Sequence, residues 1–143
     1  MKMKKYLIPI LLVTAINISC TEECTPYLPQ SSPGIEFTSV PPKGSHSDLR
    51  GRVRGVMPSE YRVIVFIRVN GGWWNKPYFS TPKTEIDCNS NYVTDITTGG
   101  VDESADLLKA FLVSKHYDPP LISGGALPES VAQNSLAWTE ASR

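Results

Sequence analysis

The chain has 143 residues, of which 41% are hydrophobic and 20% charged, and its 14 basic residues are balanced by 14 acidic ones. This length is sufficient for one domain with a hydrophobic core, and the lack of a basic excess argues against a nucleic-acid partner. The 12 Pro and 10 Gly lie between short hydrophobic runs, a pattern that predicts an all-β domain of strands and turns.

Residues 1–19 have the three parts of a secretory signal peptide. Three lysines within the first five residues supply the positive charge, residues 6–16 form the apolar part, and the small residue Ser19 precedes Cys20. The apolar part is shorter than the roughly 20 residues that a membrane span needs, so cleavage is favoured over the alternative of a permanent membrane helix. Removal of residues 1–19 leaves 11 basic residues (14 − 3) and 14 acidic ones, a net charge of −3.

The residues around Cys20 predict that the signal ends in a lipid attachment site. They read Asn17-Ile18-Ser19-Cys20 and resemble a bacterial lipobox, although Asn17 stands where leucine is usual. The resemblance implies that Cys20 carries acyl chains such as palmitate, and several acyl chains hold a protein stably to a bilayer. Residues 20–34, rich in Pro, Ser and Thr, are then a flexible tether. Thr21, in place of an aspartate, resembles the outer-membrane sorting choice of Gram-negative bacteria. This resemblance implies the outer over the inner membrane, with the domain facing the periplasm or the cell exterior.

The two other cysteines, Cys24 and Cys88, leave two alternatives open. Export delivers them to an oxidising compartment, where a disulfide would join the tether to the domain. The alternative is a pair of free thiols, because sequence spacing does not reveal whether the two residues meet. Neither cysteine has a Cys or His neighbour at ligand spacing, so no metal site is expected.

Residues 35–131 are predicted to form the β-sandwich domain. A first strand spans 35–40, and a second spans 49–56, in which Arg50, Arg52 and Arg54 share one face because side chains alternate along a strand. The segment 61–69 is apolar on both faces and is predicted to be a central strand covered on both sides.

The later elements are less regular. The segment 73–79 is an aromatic strand or loop, and 84–88 and 91–97 are predicted to pair as a hairpin. Residues 107–114 are predicted to be a strand, with a helix as the alternative. The region after Pro120 is expected to be irregular, and 132–143 is expected to be a C-terminal tail.

Several segments together resemble immunoglobulin-like modules that stand beside carbohydrate-active domains in secreted bacterial proteins. They are LRGRV (49–53), PSEYRVIVFI (58–67), VNGGWWNKPYF (69–79), TDITTGGVDESADLLKAFLV (94–113), YDPP (117–120) and LPES (127–130). The resemblance implies an immunoglobulin-like antiparallel β-sandwich in a carbohydrate-related setting. It implies no enzymatic mechanism and no cofactor.

The aromatic segment is the first candidate ligand site, with Trp73, Trp74, Lys76 and Tyr78 as its residues. Sugars present apolar C–H faces edged with hydroxyl groups, which suit flat aromatic rings flanked by polar side chains. In a strand the two tryptophans face opposite ways, so at least one belongs to the core. The alternative is that the whole cluster is structural.

The arginine face of 50, 52 and 54 is the second candidate site, for an acidic polysaccharide or a lipid head group. The alternative is a solvated face whose arginines pair with Glu36 or Glu85. The acidic residues between 95 and 106 match no calcium loop, and neither His46 nor His116 has a nucleophile nearby in sequence. We therefore predict a non-catalytic, lipid-anchored module that binds a glycan or an envelope component, with a structural or protein-interaction lipoprotein as the alternative.

Overall fold

The computed structural model describes Cys24 and residues 31–143. The predicted signal peptide and the lipid site at Cys20 lie outside these residues. Within the described part of the chain, no helix has the length and apolar character needed to cross a membrane. The elements are β1 (Gly34–Ser39), β2 (Leu49–Arg54), β3 (Tyr61–Val69), β4 (Gly72–Lys76), β5 (Asn91–Thr94), β6 (Leu107–Ser114), β7 (Ser123–Gly125), α1 (Glu129–Gln133) and β8 (Ser135–Ser142).

The strands form two antiparallel sheets. One has three strands in the order β1-β2-β5, and the other has five in the order β7-β4-β3-β6-β8. Leu49 and Val53 of the smaller sheet belong to the same buried cluster as Val63, Val65 and Ile67 of the larger one, so the sheets pack face to face. This confirms the prediction of a mainly β domain and is consistent with a sandwich.

Strand β3 is the central strand that its sequence predicts. Alternate residues enter the core between the sheets, while Ile64 and Phe66 enter a second cluster on the outer face of the larger sheet. Phe66 meets Phe111 edge to face there, with ring centroids 6.1 Å apart. Ile122 and Val131, from the segment that follows β6, complete this second cluster.

The predicted strand at 107–114 is confirmed as β6. It pairs with β3 on one side and with β8 on the other. Leu108 and Leu112 face the main core, whereas Phe111 and Val113 face the second cluster. A strand that is buried on both faces lacks the alternation of apolar and polar residues that distinguishes strands from helices. This explains why the sequence of 107–114 is also compatible with a helix.

The predicted hairpin of 84–88 with 91–97 is wrong. Strand β5 pairs with β2, and Thr84 instead makes an isolated bridge to Val63 in the other sheet. Asp87 explains the difference, because its Oδ1 accepts the backbone N–H groups of Asn89 and Asn91, both at 2.8 Å. The carboxylate thus supports a turn at the point where the chain changes sheets.

The predicted C-terminal tail at 132–143 is also wrong. Residues 129–133 form α1, and β8 pairs with β6 from Ser135 to Ser142 as an edge strand of the larger sheet. Its inward positions carry small residues such as Ala137 and Ala141, so no large apolar stripe marks it as a strand. The Arg143 guanidinium then donates to the carbonyl oxygens of Pro41, Pro42 and Ser45.

Gly51 lies where the smaller sheet accommodates a large buried side chain. A Cβ atom at position 51 would overlap the ring of Tyr92 and the carbonyl oxygen of Glu36. The Tyr92 hydroxyl donates to that same carbonyl at 3.3 Å, and burial raises the pKa of Tyr92. Gly51 is one of the residues of β2 that face the core, and its lack of a side chain leaves room for the Tyr92 ring of β5.

Substitution Gly51→Ala is expected to destabilise the domain by about 2 kcal/mol, within the usual cost of overpacking a core. The matched control is Gly99→Ala, because a Cβ at position 99 meets no atom within 4 Å. Chemical denaturation of both variants measures the effect. Equal free energies of unfolding for the two variants would contradict the packing role of Gly51.

Candidate functional site

A groove of about 410 Å³ lies between the end of β4 and the loop before β6. It brings together two segments that are distant in sequence, the aromatic segment and the TTGG segment. Its lining consists of Val69, Trp74, Asn75, Lys76, Pro77, Tyr78, Phe79, Thr98, Gly99, Gly100, Val101 and Asp102. We call this concavity the aromatic groove.

Aromatic side chains form one side of the groove. Trp74 is half-buried and packs against the main core, which fixes its position. The peptide bond between Lys76 and Pro77 is cis, and Tyr78 and Phe79 follow it with 52% and 44% of their surface exposed. An N–H group of Thr81 donates to the Tyr78 carbonyl at 3.1 Å and closes this turn. The two exposed rings are therefore held on a short, hydrogen-bonded loop.

A buried ion pair joins the two sides of the groove. The Lys76 ammonium contacts Oδ2 of Asp102, with side chains only 8% and 10% exposed. The same ammonium donates to Thr98 Oγ1 at 3.0 Å, and the Gly99 N–H donates to Asp102 Oδ2 at 3.0 Å. Thr98 in turn donates to the Pro77 carbonyl at 2.7 Å. These contacts hold the TTGG segment against the end of β4.

The groove also has unused backbone donors. Among the hydrogen bonds of the described residues, none has the N–H of Gly100 or Val101 as its donor. Both residues line the groove opposite the aromatic segment.

The structure separates the predicted aromatic site residues into two groups. Trp74, Lys76 and Tyr78 line the groove, but Trp73 points to the opposite face of the sheet. There Trp73 packs against the second cluster, and the Arg68 guanidinium carbon lies 6.0 Å from its ring centroid. The ammonium of Lys76 is already engaged by Asp102, so the lysine organises the groove and is not a free cation on its surface.

Sequence reasoning did not select Thr98, the Gly100–Val101 amides or Asp102 as site residues. The TTGG-x-D motif was the available signal, but its contact with Lys76 depends on packing between segments 26 residues apart. Asn75, beside Lys76, has a structural role on the other face. Its Oδ1 accepts the Ile122 N–H at 2.5 Å, and its Nδ2 donates to the Pro120 carbonyl at 3.1 Å.

The arginine face is the outer face of the smaller sheet. Arg50, Arg52 and Arg54 are exposed, and no ion pair involves them in the described part of the chain. Glu85 pairs with Arg62 instead, with N and O atoms 3.5 Å apart. Glu36 lies opposite Arg52 in the strand register without forming an ion pair. Arg52 Nε donates to Asn91 Oδ1 at 3.4 Å. Among the described residues no other hydrogen bond involves the three guanidinium groups, so their remaining N–H groups are available to a partner.

A disulfide joins Cys24 to Cys88, with their Cα atoms 5.0 Å apart. Cys88 lies close to the end of β2 that carries Arg54, because the neighbouring Ser90 carbonyl accepts the Val53 N–H at 2.8 Å. The bond therefore fixes the chain at position 24 beside one end of the arginine face.

The remaining polar candidates do not converge on a site. Asp95 accepts the Thr97 N–H at 2.9 Å, while Asp106 accepts two hydrogen bonds from Arg68, and these hold the pKa of Asp106 below its ordinary value. No cluster of three metal-ligating side chains occurs among the residues for which the structure gives positions. His46 and His116 are exposed, and neither imidazole makes a hydrogen bond to any described residue.

Comparison of the chain with protein-family models, with curated proteins and with solved structures gives no significant match.

The ion pair behind the groove makes a testable contribution to stability. Lys76→Met or Asp102→Asn alone is expected to destabilise the domain by about 3–5 kcal/mol, because each leaves one buried charge without its partner. The double variant Lys76→Met/Asp102→Asn should recover most of this loss, since no charge then remains buried.

Chemical denaturation of the two single variants and the double variant measures this coupling. Glu140→Gln is the control, because it removes an exposed ion pair with Lys109 and should change the free energy of unfolding by less than about 1 kcal/mol. Additive effects of the two core substitutions would contradict the coupling.

Proposed function

We propose that this protein is a lipid-anchored, non-catalytic module of the bacterial cell envelope and that its aromatic groove binds a glycan. The observation that carries the proposal is that one groove is lined both by the exposed rings of Tyr78 and Phe79 and by Gly100 and Val101, whose amides donate to no described residue. This combination suits a sugar, whose C–H face stacks on aromatic rings while its hydroxyl oxygens accept hydrogen bonds.

The groove is also sufficiently preorganised to bind without a large rearrangement. The Lys76–Asp102 pair and the Thr98 hydrogen bonds fix both of its sides. Binding to a preformed site costs less conformational entropy than binding to a mobile one. The resemblance to immunoglobulin-like modules beside carbohydrate-active domains supports the same ligand class, and an immunoglobulin-like strand arrangement is part of the proposal.

The proposed location depends on the first 20 residues of the sequence. A positive start, a short apolar stretch and the lipobox-like ending support lipid attachment at Cys20, and Thr21 supports the outer membrane. The disulfide between Cys24 and Cys88 is compatible with this location, because disulfides persist in oxidising extracytoplasmic compartments.

Binding without catalysis fits the chemistry of the groove. Its buried charges neutralise each other, and its lining includes neither a histidine nor a cysteine. A nucleophile needs an adjacent base to act, and the residues lining the groove include no such pair. We therefore assign no catalytic residue and no cofactor.

A second candidate function is protein interaction at the edge of the larger sheet. Strand β8 is an edge strand, and its outward residues Leu136 and Trp138 are 50% and 52% exposed. Two large apolar side chains exposed on the outer face of a sheet are suited to contact with an apolar surface of a partner protein. This surface is separate from the groove, so the two candidates can be tested by different substitutions.

The lipid anchor predicts a specific mass for the mature protein. Protein from the membrane fraction should begin at Cys20 and carry the added mass of acyl chains. Two further cysteines should react with an alkylating reagent only after reduction, because Cys24 and Cys88 are bonded. Intact mass spectrometry before and after reduction measures both. Cleavage at another position without acyl mass would refute the anchor and leave the groove proposal to be tested separately.

The groove predicts which aromatic residues matter for glycan binding. The variant Tyr78→Ala/Phe79→Ala should lose about 5- to 150-fold in affinity, because each of the two stacking contacts is worth about 0.5–1.5 kcal/mol. The matched control, Leu136→Ala/Trp138→Ala, removes a similar exposed apolar area from β8 and should bind normally.

A glycan array identifies the sugar, and gel retardation in that polysaccharide then compares the full-chain variants. If no glycan is bound, or if both double variants lose binding equally, the groove is not the site. Loss of a cross-linked envelope protein in the β8 variant alone would favour the protein-interaction function.

A further inference from the structure

Three exposed arginines on one face of a sheet are spaced for contact with a charged surface. Alternate residues of a strand lie about 7 Å apart, so Arg50, Arg52 and Arg54 form a row about 14 Å long. All three are exposed and without ion pairs in the part of the chain that the structure describes. The acidic residue that the register places beside them is Glu36, so the row keeps a positive excess in a protein whose processed net charge is −3.

The disulfide determines where the chain leaves the domain. It holds Cys24 next to Cys88, and the Ser90 carbonyl near Cys88 bonds the Val53 N–H at the Arg54 end of the row. The Cα atom of Cys20 can lie no more than about 15 Å from that of Cys24, because consecutive Cα atoms are 3.8 Å apart. Without the disulfide, the chain between Cys20 and Gly34 could extend to about 50 Å.

We propose that the arginine face docks on the anionic phosphate groups of the membrane that holds the anchor, with the disulfide keeping the domain within reach. Guanidinium groups bind phosphate oxygens through paired N–H donors. Attraction to an anionic bilayer falls off within a Debye length of about 8 Å, so it acts only on a domain held close to the surface. The proposal rests on the proposed lipid anchor for this proximity, but the arginine–phosphate contact can be tested without it.

The opposite end of the sandwich then points away from the attachment point. The loop that forms one side of the groove lies where β2 begins, because Thr97 donates to the His46 carbonyl at 3.4 Å and the Gly44 N–H donates to the Glu103 carbonyl at 2.7 Å. Arg54 is at the other end of that strand. The groove loop and the disulfide are therefore at opposite ends of the arginine row.

Photo-crosslinking in vesicles tests the docking. The full chain carries benzoylphenylalanine in place of Val93, which is 44% exposed and pairs with Arg50 on the arginine face. A second protein carries it in place of Trp138, on the larger sheet. Each is reconstituted in vesicles of phosphatidylcholine alone or with phosphatidylglycerol, and the fraction cross-linked to lipid is measured at low and high salt.

Crosslinking from position 93 should require phosphatidylglycerol, weaken in high salt and exceed that from position 138. Replacing Arg50, Arg52 and Arg54 with Gln should lower the ratio of docked to undocked protein by up to about a hundredfold, because each basic residue near an anionic surface contributes about a fivefold factor. The matched control replaces Lys83, Lys109 and Lys115 with Gln, which removes the same charge from residues that are already ion-paired. Equal crosslinking in neutral and anionic vesicles, or an equal loss in this control, would overturn the proposal.

The tether is tested by Cys24→Ser/Cys88→Ser, with circular dichroism as a check of the fold. The longer tether lowers the effective concentration of the arginine face at the surface, so crosslinking from position 93 should fall. Unchanged crosslinking in the folded variant would overturn the role of the disulfide.

Flotation with neutral vesicles distinguishes a failure of the anchor from a failure of docking. Arginines have no anionic lipid to bind there, so flotation reports the lipid anchor alone. A chain that floats on neutral vesicles but never cross-links from position 93 would refute docking and keep the anchor. A chain that cross-links on anionic vesicles without floating on neutral ones would refute the anchor and support the contact.

Discussion

Strand β3 is buried on both faces, and this constraint determines much of the architecture. Val63, Val65 and Ile67 need apolar cover on one side, which the smaller sheet provides. Ile64 and Phe66 need cover on the other side, which comes from the chain after β6 through Ile122 and Val131. The free energy of burying both apolar faces therefore ties together segments from every part of the domain.

The same packing buries a charged side chain, and the contact that neutralises this charge also shapes the groove. Strand β4 pairs with β3 and places Lys76 opposite Val65, where the ammonium is excluded from water. An unpaired buried charge is costly, and Asp102 from the TTGG segment neutralises it. Since Asp102 also accepts the Gly99 N–H, the loop that completes the groove is fixed by the same contact. The groove thus forms where a structural ion pair joins the end of β4 to the loop before β6.

The sequence was sufficient to predict the strands that carry strong periodicity or two-sided burial. β2 and β3 follow directly from alternation and from the continuous apolar run at 61–69. The pairing partners of the strands are less predictable. β5 pairs with β2, which is distant in sequence, whereas the turn at Asp87 suggests a hairpin with the segment just before it. β8 was missed because its inward residues are small, and its stability as a strand comes from the ladder with β6. The sequence predicts only the aromatic side of the groove. The contact of Lys76 with Asp102 depends on tertiary packing, so the other side is not predictable from local patterns.

The two candidate surfaces lie at different places on the sandwich, and their separation has a physical consequence. The arginine face begins beside the disulfide at the Arg54 end of β2, whereas the loop of the groove contacts the chain near His46, before β2 begins. A bond that fixes position 24 at the first of these ends orients the domain relative to whatever lies N-terminal to it. Electrostatic contact at the arginine face adds a second point of attachment, and two points restrict rotation far more than one. Under this arrangement the covalent constraint that limits the reach of the tether also places the groove loop at the end of the arginine row away from the attachment point.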